Sequence, residues 1–233
     1  MKAVLFDLDG TLLDIRIDEF VSRYFGALAG TMASILPDGA DVARAMEAVR
    51  SGTAEMMTAH PGRTNRDVFN DRFRSLVGID LEAHQDELDD FYENVFPGLR
   101  GDIGPMPGAQ IAVKAARAHG LRVAIATNPI FPRRAIEHRM GWAGISFDDV
   151  DHVTTYETMH ACKPNPAYFI QTAANLDVNP ADCLMVGDDR FLDLPAAEVG
   201  MRTFYVGDDP SALADYRGTL GDLVDLLHRL QRD

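Results

Sequence analysis

Five aspartates follow two short apolar runs, at positions where a buried sheet would present them along one edge. They are Asp7, Asp9, Asp188, Asp189 and Asp193. Asp7 and Asp9 stand two residues apart at the end of a run, so both side chains can face the same way. Two close carboxylates resist joint ionisation unless a cation lies between them. With a third carboxylate from Asp188 or Asp189, they form an oxygen-rich ligand set that suits Mg²⁺ rather than zinc.

One lysine is placed to add a positive charge to this set. The chain has three lysines, Lys2, Lys114 and Lys163. Lys163 precedes a proline at a predicted helix start, where a positive charge opposes the helix dipole. This unfavourable position indicates that Lys163 serves an anion site. Thr127 and Asn128 follow another apolar run and add polar groups to the same predicted edge.

Short apolar runs predict the strands that position these residues. Each run is mostly apolar and does not alternate, a pattern typical of strands that are buried on both faces of a parallel sheet. The runs are 3–6, 123–126, 183–186 and 203–206.

Helical patterns separate most of these runs. The predicted helices cover 107–119, 132–140, 164–176 and 192–199. Strands that alternate with helices predict βαβ units. We therefore expect a three-layer, Rossmann-like α/β fold with a parallel sheet.

A long segment after the first strand contains only helical patterns. Apolar residues recur there at three- and four-residue spacing, which indicates amphipathic helices at 18–36, 40–50, 64–77 and 81–95. The sequence therefore predicts an α/β core formed by residues 1–14 and 97–233, with residues 15–96 inserted as a small helical domain.

Composition narrows the class of protein. Of the 233 residues, 46% are hydrophobic and 25% are charged, and the net charge is −14. This negative charge disfavours binding to nucleic acid or to anionic lipid, although a local pocket can still accept a small phosphorylated substrate. Two cysteines do not make a disulfide framework, and no apolar run is long enough for a signal peptide or a membrane span. We expect a cytoplasmic protein.

Four motifs, in this order, resemble those of the haloacid dehalogenase superfamily of hydrolases. They are Asp7-Leu8-Asp9-Gly10-Thr11-Leu12, Thr127-Asn128, Lys163-Pro164-Asn165-Pro166, and Val186-Gly187-Asp188-Asp189 with Asp193. The motifs extend over nearly the whole chain, and the ordered set is far more specific than any one of them. The helical insertion after the first motif resembles the helical cap of this superfamily.

The resemblance implies a role for each motif residue. Asp7 would be the nucleophile that attacks phosphorus and forms an aspartyl phosphate. Asp9 would act as general acid and then general base, and would give its backbone carbonyl to Mg²⁺. Thr127 and the backbone amide of Asn128 would bind phosphate oxygens. Lys163 would offset the charges of the phosphate and of the nucleophile.

The fourth motif fits two spacings. Asp188 and Asp193 match one form, whereas Asp189 and Asp193 match the other. The four-residue spacing puts Asp193 one helical turn from Asp189, which favours Asp189 as the direct metal ligand. Asp188 would then bind the metal through water. Asp193 and Thr11 are expected to support and orient the site.

These roles imply a Mg²⁺-dependent phosphatase that hydrolyses a small phosphorylated metabolite, a phosphate monoester. A phosphomutase would keep the same core and differ only in its cap, so this alternative stays open. A dehalogenase is less favoured, because it needs neither a metal nor the acid at Asp9. A phosphonate hydrolase of this superfamily needs a cap lysine, and residues 15–95 contain none. A non-catalytic relative would have lost a motif, whereas all four are present.

Overall fold

The strands form a parallel sheet and a small antiparallel pair. The computed structural model describes residues 1–37 and 40–230, so Asp38, Gly39 and the last three residues lie outside the description. Within these ranges the strands are β1 (Ala3–Phe6), β2 (Leu13–Asp14), β3 (Gly104–Pro105), β4 (Arg122–Ile125), β5 (His152–Val153), β6 (Cys183–Gly187), β7 (Arg202–Tyr205) and β8 (Tyr216–Arg217).

The larger sheet has six parallel strands among the described residues, in the order β5-β4-β1-β6-β7-β8. The four predicted strands are all present within one residue of their predicted bounds, as β1, β4, β6 and β7. The predicted parallel α/β sheet is therefore confirmed. The two-residue strands β5 and β8, at the edges, were not predicted.

The central strand β1 aligns the ends of its neighbours. Phe6 is in register with Ile125 of β4 and with Val186 of β6. The amide of Asp7 donates to the carbonyl of Val186 at 2.9 Å. Because these three parallel strands end at the same level, the residues that follow them meet at one edge of the sheet.

Helices cover most of the remaining chain. Within the described residues the α-helices are α1 (Ile17–Ile35), α2 (Val42–Met56), α3 (Asn65–Val77), α4 (Gln85–Asp90), α5 (Ala109–Ala118), α6 (Arg133–Trp142), α7 (Pro166–Asn175) and α8 (Leu220–Leu230). Short 3₁₀ helices cover Leu81–His84, Phe96–Arg100, Phe147–Asp149, Pro180–Asp182 and Leu194–Val199, and a π-helical turn covers Phe91–Val95.

Three helical segments differ from the predictions. The helix predicted at 192–199 is wrong in type and start, because a 3₁₀ helix begins at Leu194, with Pro195 in its first turn. The helix predicted at 81–95 is divided into a 3₁₀ turn, α4 and a π-helical turn. The helix predicted at 40–50 begins at Val42 and continues to Met56.

Both faces of the parallel sheet are buried, which makes the fold three-layered. Val4 and Phe6 of β1 pack into one apolar cluster, and Ala3 and Leu5 pack into another on the opposite face. The first cluster contains residues of α5, α6 and α8, and the second contains residues of α7. None of the helices in the described ranges has the length and apolarity needed to cross a membrane.

Helices α1 to α4 form the inserted segment between β2 and β3, which pair with each other antiparallel. The chain therefore leaves and re-enters the core at adjacent points. Phe20 of α1 and Phe96 pack against Trp142 of α6, with ring centroids 6.1 and 5.7 Å from the tryptophan. These aromatic contacts join the helical segment to the core, and the division into two domains stays a prediction.

Candidate active site

A buried lysine joins two carboxylates at the end of β1. The Lys163 ammonium donates to Asp7 Oδ1 and to Asp193 Oδ1, each at 2.6 Å. Lys163 and Asp193 are each 1% exposed, and Asp7 is 8% exposed. Burial alone would lower the pKa of Lys163, but the charges of Asp193 and Asp7 raise it well above its usual value. Lys163 is therefore a charged ammonium at this site.

Carboxylate oxygens of three aspartates form a compact cluster. Oxygens of Asp7, Asp188 and Asp193 all lie within 4.8 Å of one another. Burial, and then the charge of Asp7, raises the pKa of Asp188 to about 6. The Thr11 hydroxyl donates to Asp188 Oδ1 at 2.9 Å and orients that carboxylate. A hard divalent cation would offset this concentration of negative charge, and all-oxygen ligands suit Mg²⁺.

Glycine at position 10 allows Asp188 to approach the cluster. Gly10 has a φ of +82°, in the left-handed region, and a Cβ there would lie only 2.7 Å from Asp188 Cγ. Gly187 has a similar role, since its Cβ would lie 2.6 Å from Asp193 Cβ. Both glycines leave the space that the carboxylates occupy.

Asp189 lies outside this carboxylate cluster. Its Oδ1 accepts from the amides of Phe191 and Leu192, at 2.7 and 3.1 Å. Its own amide donates to Asp193 Oδ2 at 3.1 Å. Asp193 does lie one turn from Asp189, since its amide donates to the Asp189 carbonyl at 2.8 Å, but the Asp189 side chain is used within that turn. The geometry therefore favours Asp188 over Asp189 beside Asp7.

The side chain of Asp9 is held by a residue that sequence reasoning missed. The guanidinium of Arg139, on α6, forms an ion pair with Asp9 Oδ2. Arg139 is 1% exposed and lies over the ring of Phe131, 5.1 Å from the centroid. Burial lowers the pKa of Arg139 to about 10, against the opposing effect of Asp7. The sequence signal that could have identified Arg139 is its three- and four-residue spacing from Ile136 and Ala135. That spacing puts a charged residue on the buried face of α6.

The second motif lies between the lysine and the inserted helices. The Thr127 carbonyl accepts from the Tyr168 hydroxyl at 2.9 Å, which fixes the end of β4. Asn128 Oδ1 accepts from the Lys163 amide at 3.0 Å. The Asn128 amide group also lies 3.9 Å from the sulfur of Met57, just after α2. The loop is thus fastened to the lysine segment and touches the helical segment.

A cavity of about 820 Å³ opens from this cluster toward the inserted helices. All of the predicted site residues line it except Thr11, which supports Asp188 from the side. The lining members are Asp7, Asp9, Thr127, Asn128, Lys163, Asp188, Asp189 and Asp193. The predicted residues are therefore brought to one site, with Asp189 at its margin.

A parallel α/β sheet with a lysine and carboxylates at its strand ends is a framework for hydrolytic chemistry. The chain matches the haloacid dehalogenase-like hydrolase family over residues 1–200, and it belongs to that family. The resemblance inferred from the four motifs is therefore confirmed.

Individual relatives are similar over most of the chain. N-acetylmuramic acid 6-phosphate phosphatase from Pseudomonas aeruginosa is 30% identical over 194 residues, which cover 81% of this chain and 74% of the relative. Phosphoglycolate phosphatase from Xylella fastidiosa is 28% identical over 190 residues, 81% of this chain and 72% of the relative. The crystal structure of a phosphatase of this family from Thermococcus onnurineus superposes with a TM-score of 0.61 at 25% identity, and covers 97% of this chain and 98% of that one.

Proposed function

We propose that this hydrolase is a Mg²⁺-dependent phosphatase that cleaves a phosphate monoester by attack of Asp7 on phosphorus. The observation that carries this proposal is the Lys163 ammonium, buried between Asp7 and Asp193 at 2.6 Å from each. A fixed cation beside a buried carboxylate offsets the charge that accumulates when a phosphoryl group approaches. The names of the related phosphatases support the same chemistry.

Asp7 and Asp188 are the side chains that we assign to Mg²⁺, together with the backbone carbonyl of Asp9. Asp193 is engaged by Lys163 and positions the lysine. When bound, Mg²⁺ would offset the negative charge of the carboxylates and of the phosphoryl oxygens. Asp188 takes the ligand role that the sequence favoured for Asp189, because Asp189 is used within its own turn.

The remaining residues are assigned to binding and proton transfer. The Thr127 hydroxyl and the Asn128 backbone amide bind phosphoryl oxygens. Asp9 donates a proton to the leaving oxygen when the Asp7 aspartyl phosphate forms, and accepts one from water when it is hydrolysed. Arg139 holds Oδ2 of Asp9, which leaves Oδ1, an atom with no hydrogen-bond partner among the described residues, to carry the proton in both steps.

A generic ester tests this proposal. The protein should release phosphate from phenyl phosphate with Mg²⁺, and chelation of the metal should stop the release. The Asp7→Asn variant should be inactive while its circular dichroism matches that of the parent. Full turnover after exhaustive chelation, or a near-normal rate in Asp7→Asn, would contradict the assignment.

The reaction product distinguishes a phosphatase from the alternative, a phosphomutase. A phosphatase releases inorganic phosphate in proportion to the substrate consumed. A phosphomutase moves the phosphoryl group to another hydroxyl, so the substrate disappears without a matching release of phosphate. Measuring both quantities with one sugar phosphate distinguishes the two.

A further inference from the structure

Apolar side chains of the inserted helices form much of the cavity wall. They include Val21, Tyr24, Phe25, Leu28, Val49 and Phe69. The cavity measures about 820 Å³, within the range of about 300–1,000 Å³ that is typical of sites for drug-sized ligands. A phosphoryl group with a two-carbon leaving group would fill only a small part of this volume.

The apolar wall begins next to the proposed acid–base residue. Arg139 contacts Asp9 with its guanidinium and lies over the ring of Phe131. The ring of Phe131 lies in turn 5.1 Å from that of Tyr24 on α1, centroid to centroid. A leaving group whose oxygen faces Asp9 would therefore extend along this aromatic surface.

The cations that line the cavity are mostly paired with carboxylates of the protein. Among the described residues, the ion pairs are Arg66 with Glu82, Arg134 with Glu93 and Glu137, Arg139 with Asp9, and Lys163 with Asp7 and Asp193. Arg133 is exposed and lies over the ring of Phe147, 4.1 Å from its centroid. Each buried cation among the described residues that line the cavity therefore already has a carboxylate partner. A second anionic group on the substrate would find no free buried cation there.

We propose that the preferred substrate is the phosphate monoester of a neutral, apolar alcohol, whose hydrocarbon lies against Tyr24, Phe25 and Phe69. This inference rests on the proposed phosphatase function. It predicts a leaving group unlike the carboxylate-bearing one of phosphoglycolate, the substrate named for a relative. Burial of hydrocarbon against these side chains, rather than ion pairing, would supply the binding energy.

A series of linear alkyl phosphates tests the inference, because their leaving alcohols differ in length but hardly in chemistry. The kcat/KM should rise from ethyl through butyl to hexyl and octyl phosphate. Each added CH₂ should contribute up to about fourfold until the cavity is filled. Hexyl phosphate should exceed both ethyl phosphate and 2-phosphoglycolate by more than about tenfold. A flat or falling series, or a preference for 2-phosphoglycolate, would overturn the inference.

A pair of matched variants locates the effect. Phe25→Ala removes a half-buried ring from the wall, and it should lower the ratio of hexyl to ethyl kcat/KM by about tenfold. Ile111→Ala removes an apolar side chain that is exposed on α5, outside the cavity, and should leave the ratio unchanged. Equal ratios in Phe25→Ala and the parent would contradict placement of the hydrocarbon on this wall. Circular dichroism and thermal melting check that both variants fold.

Affinity measurements with alkylphosphonates test the apolar site independently of the proposed phosphatase function. Ethylphosphonate and hexylphosphonate cannot be hydrolysed as esters, so calorimetry with the parent protein reports affinity alone. Tighter binding of hexylphosphonate supports the apolar site even if no ester is turned over, in which case the phosphatase proposal alone fails. Equal affinities together with turnover of phenyl phosphate would retain the phosphatase and reject the apolar substrate.

Discussion

The cluster of charged residues at the strand ends and the helical wall of the cavity depend on different interactions: buried ion pairs in the first and apolar contacts in the second. At the strand ends, Lys163 is buried between Asp7 and Asp193, and the buried Arg139 holds the partly exposed Asp9. Removing one member of such a pair leaves an uncompensated charge in the interior. The wall consists largely of rings and aliphatic chains, where a substitution loses contact area but exposes no charge. We therefore expect substitutions in the core to affect the chemistry and substitutions in the helices to affect selectivity.

The largest expected effect is the loss of turnover in Asp7→Asn. The amide nitrogen is not a nucleophile, and the change in volume is small. We expect a rate loss greater than about 10³-fold on every ester, whatever its leaving group. Steady-state assays across the alkyl series measure this. A loss that depended on chain length would place Asp7 in substrate selection rather than in the chemistry.

Lys163→Ala should lower both the rate of phosphate release and the free energy of unfolding. Asp7 and Asp193 would be left buried without their cation, which costs about 3–5 kcal/mol for a broken buried pair. The kcat/KM should fall by about 10²–10³-fold, and added Mg²⁺ should not restore it. Urea unfolding and phosphate release give the two quantities.

The exposed residue Lys114 provides the matched control for this substitution. Lys114→Ala removes the same charge from the surface of α5 and should change neither stability nor rate appreciably. If the Lys163 and Lys114 variants behaved alike, the buried ammonium would have no special role.

Gly10→Ala should weaken binding of the metal. The new methyl would collide with the Asp188 carboxylate and would strain a backbone whose φ is +82°. Gly62→Ala shares the strain, at φ +79°, but its Cβ would meet nothing within 4 Å. The Mg²⁺ concentration for half-maximal activity should rise about 10–100-fold in Gly10→Ala and stay unchanged in Gly62→Ala. Similar metal dependence in the two variants would reject Asp188 as a ligand.

Arg139→Met should give the smallest effect in the charged cluster, about tenfold, and the effect should depend on the leaving group. An alkyl phosphate needs a proton from Asp9 at its leaving oxygen, whereas nitrophenolate departs almost without one. Loss of the residue that positions Asp9 should therefore slow hexyl phosphate more than nitrophenyl phosphate. Arg139→Lys retains the charge and should restore part of the difference. Equal slowing of both esters without rescue by lysine would assign Arg139 to folding alone.

Sequence patterns predicted the strand ends well because each pattern arises from residues that are adjacent in the chain. The runs around Val4 and Leu184 are apolar throughout, since both faces of the sheet are buried, and the chemical residues follow them directly. The amphipathic helix expected around His228 is α8, whose buried leucines, among them Leu220, Leu223 and Leu227, repeat at three- and four-residue spacing. That pattern was available in the sequence. Strands of two residues, such as β5, are too short to produce one.

Tertiary contacts account for the other differences. Asp193 lies one turn from Asp189, as expected from their spacing, but the Asp189 carboxylate accepts two backbone hydrogen bonds from within that turn. The role of Arg139 depends on where α6 lies relative to Asp9, 130 residues earlier in the chain. Spacing along one helix reports that a position is buried, but it does not identify the partner found there.

In the proposed mechanism, Asp7 carries the phosphoryl group and Asp9 transfers the protons. Rapid mixing of Asp9→Asn with nitrophenyl phosphate at saturating Mg²⁺ tests both parts. The first step needs little acid with this ester, while hydrolysis of the aspartyl phosphate lacks its base and should slow by about 10²–10⁴-fold. We predict a burst of nitrophenolate near one equivalent of enzyme and a peptide phosphorylated at Asp7. A linear time course with continued slow turnover and no phosphorylated peptide would contradict the account.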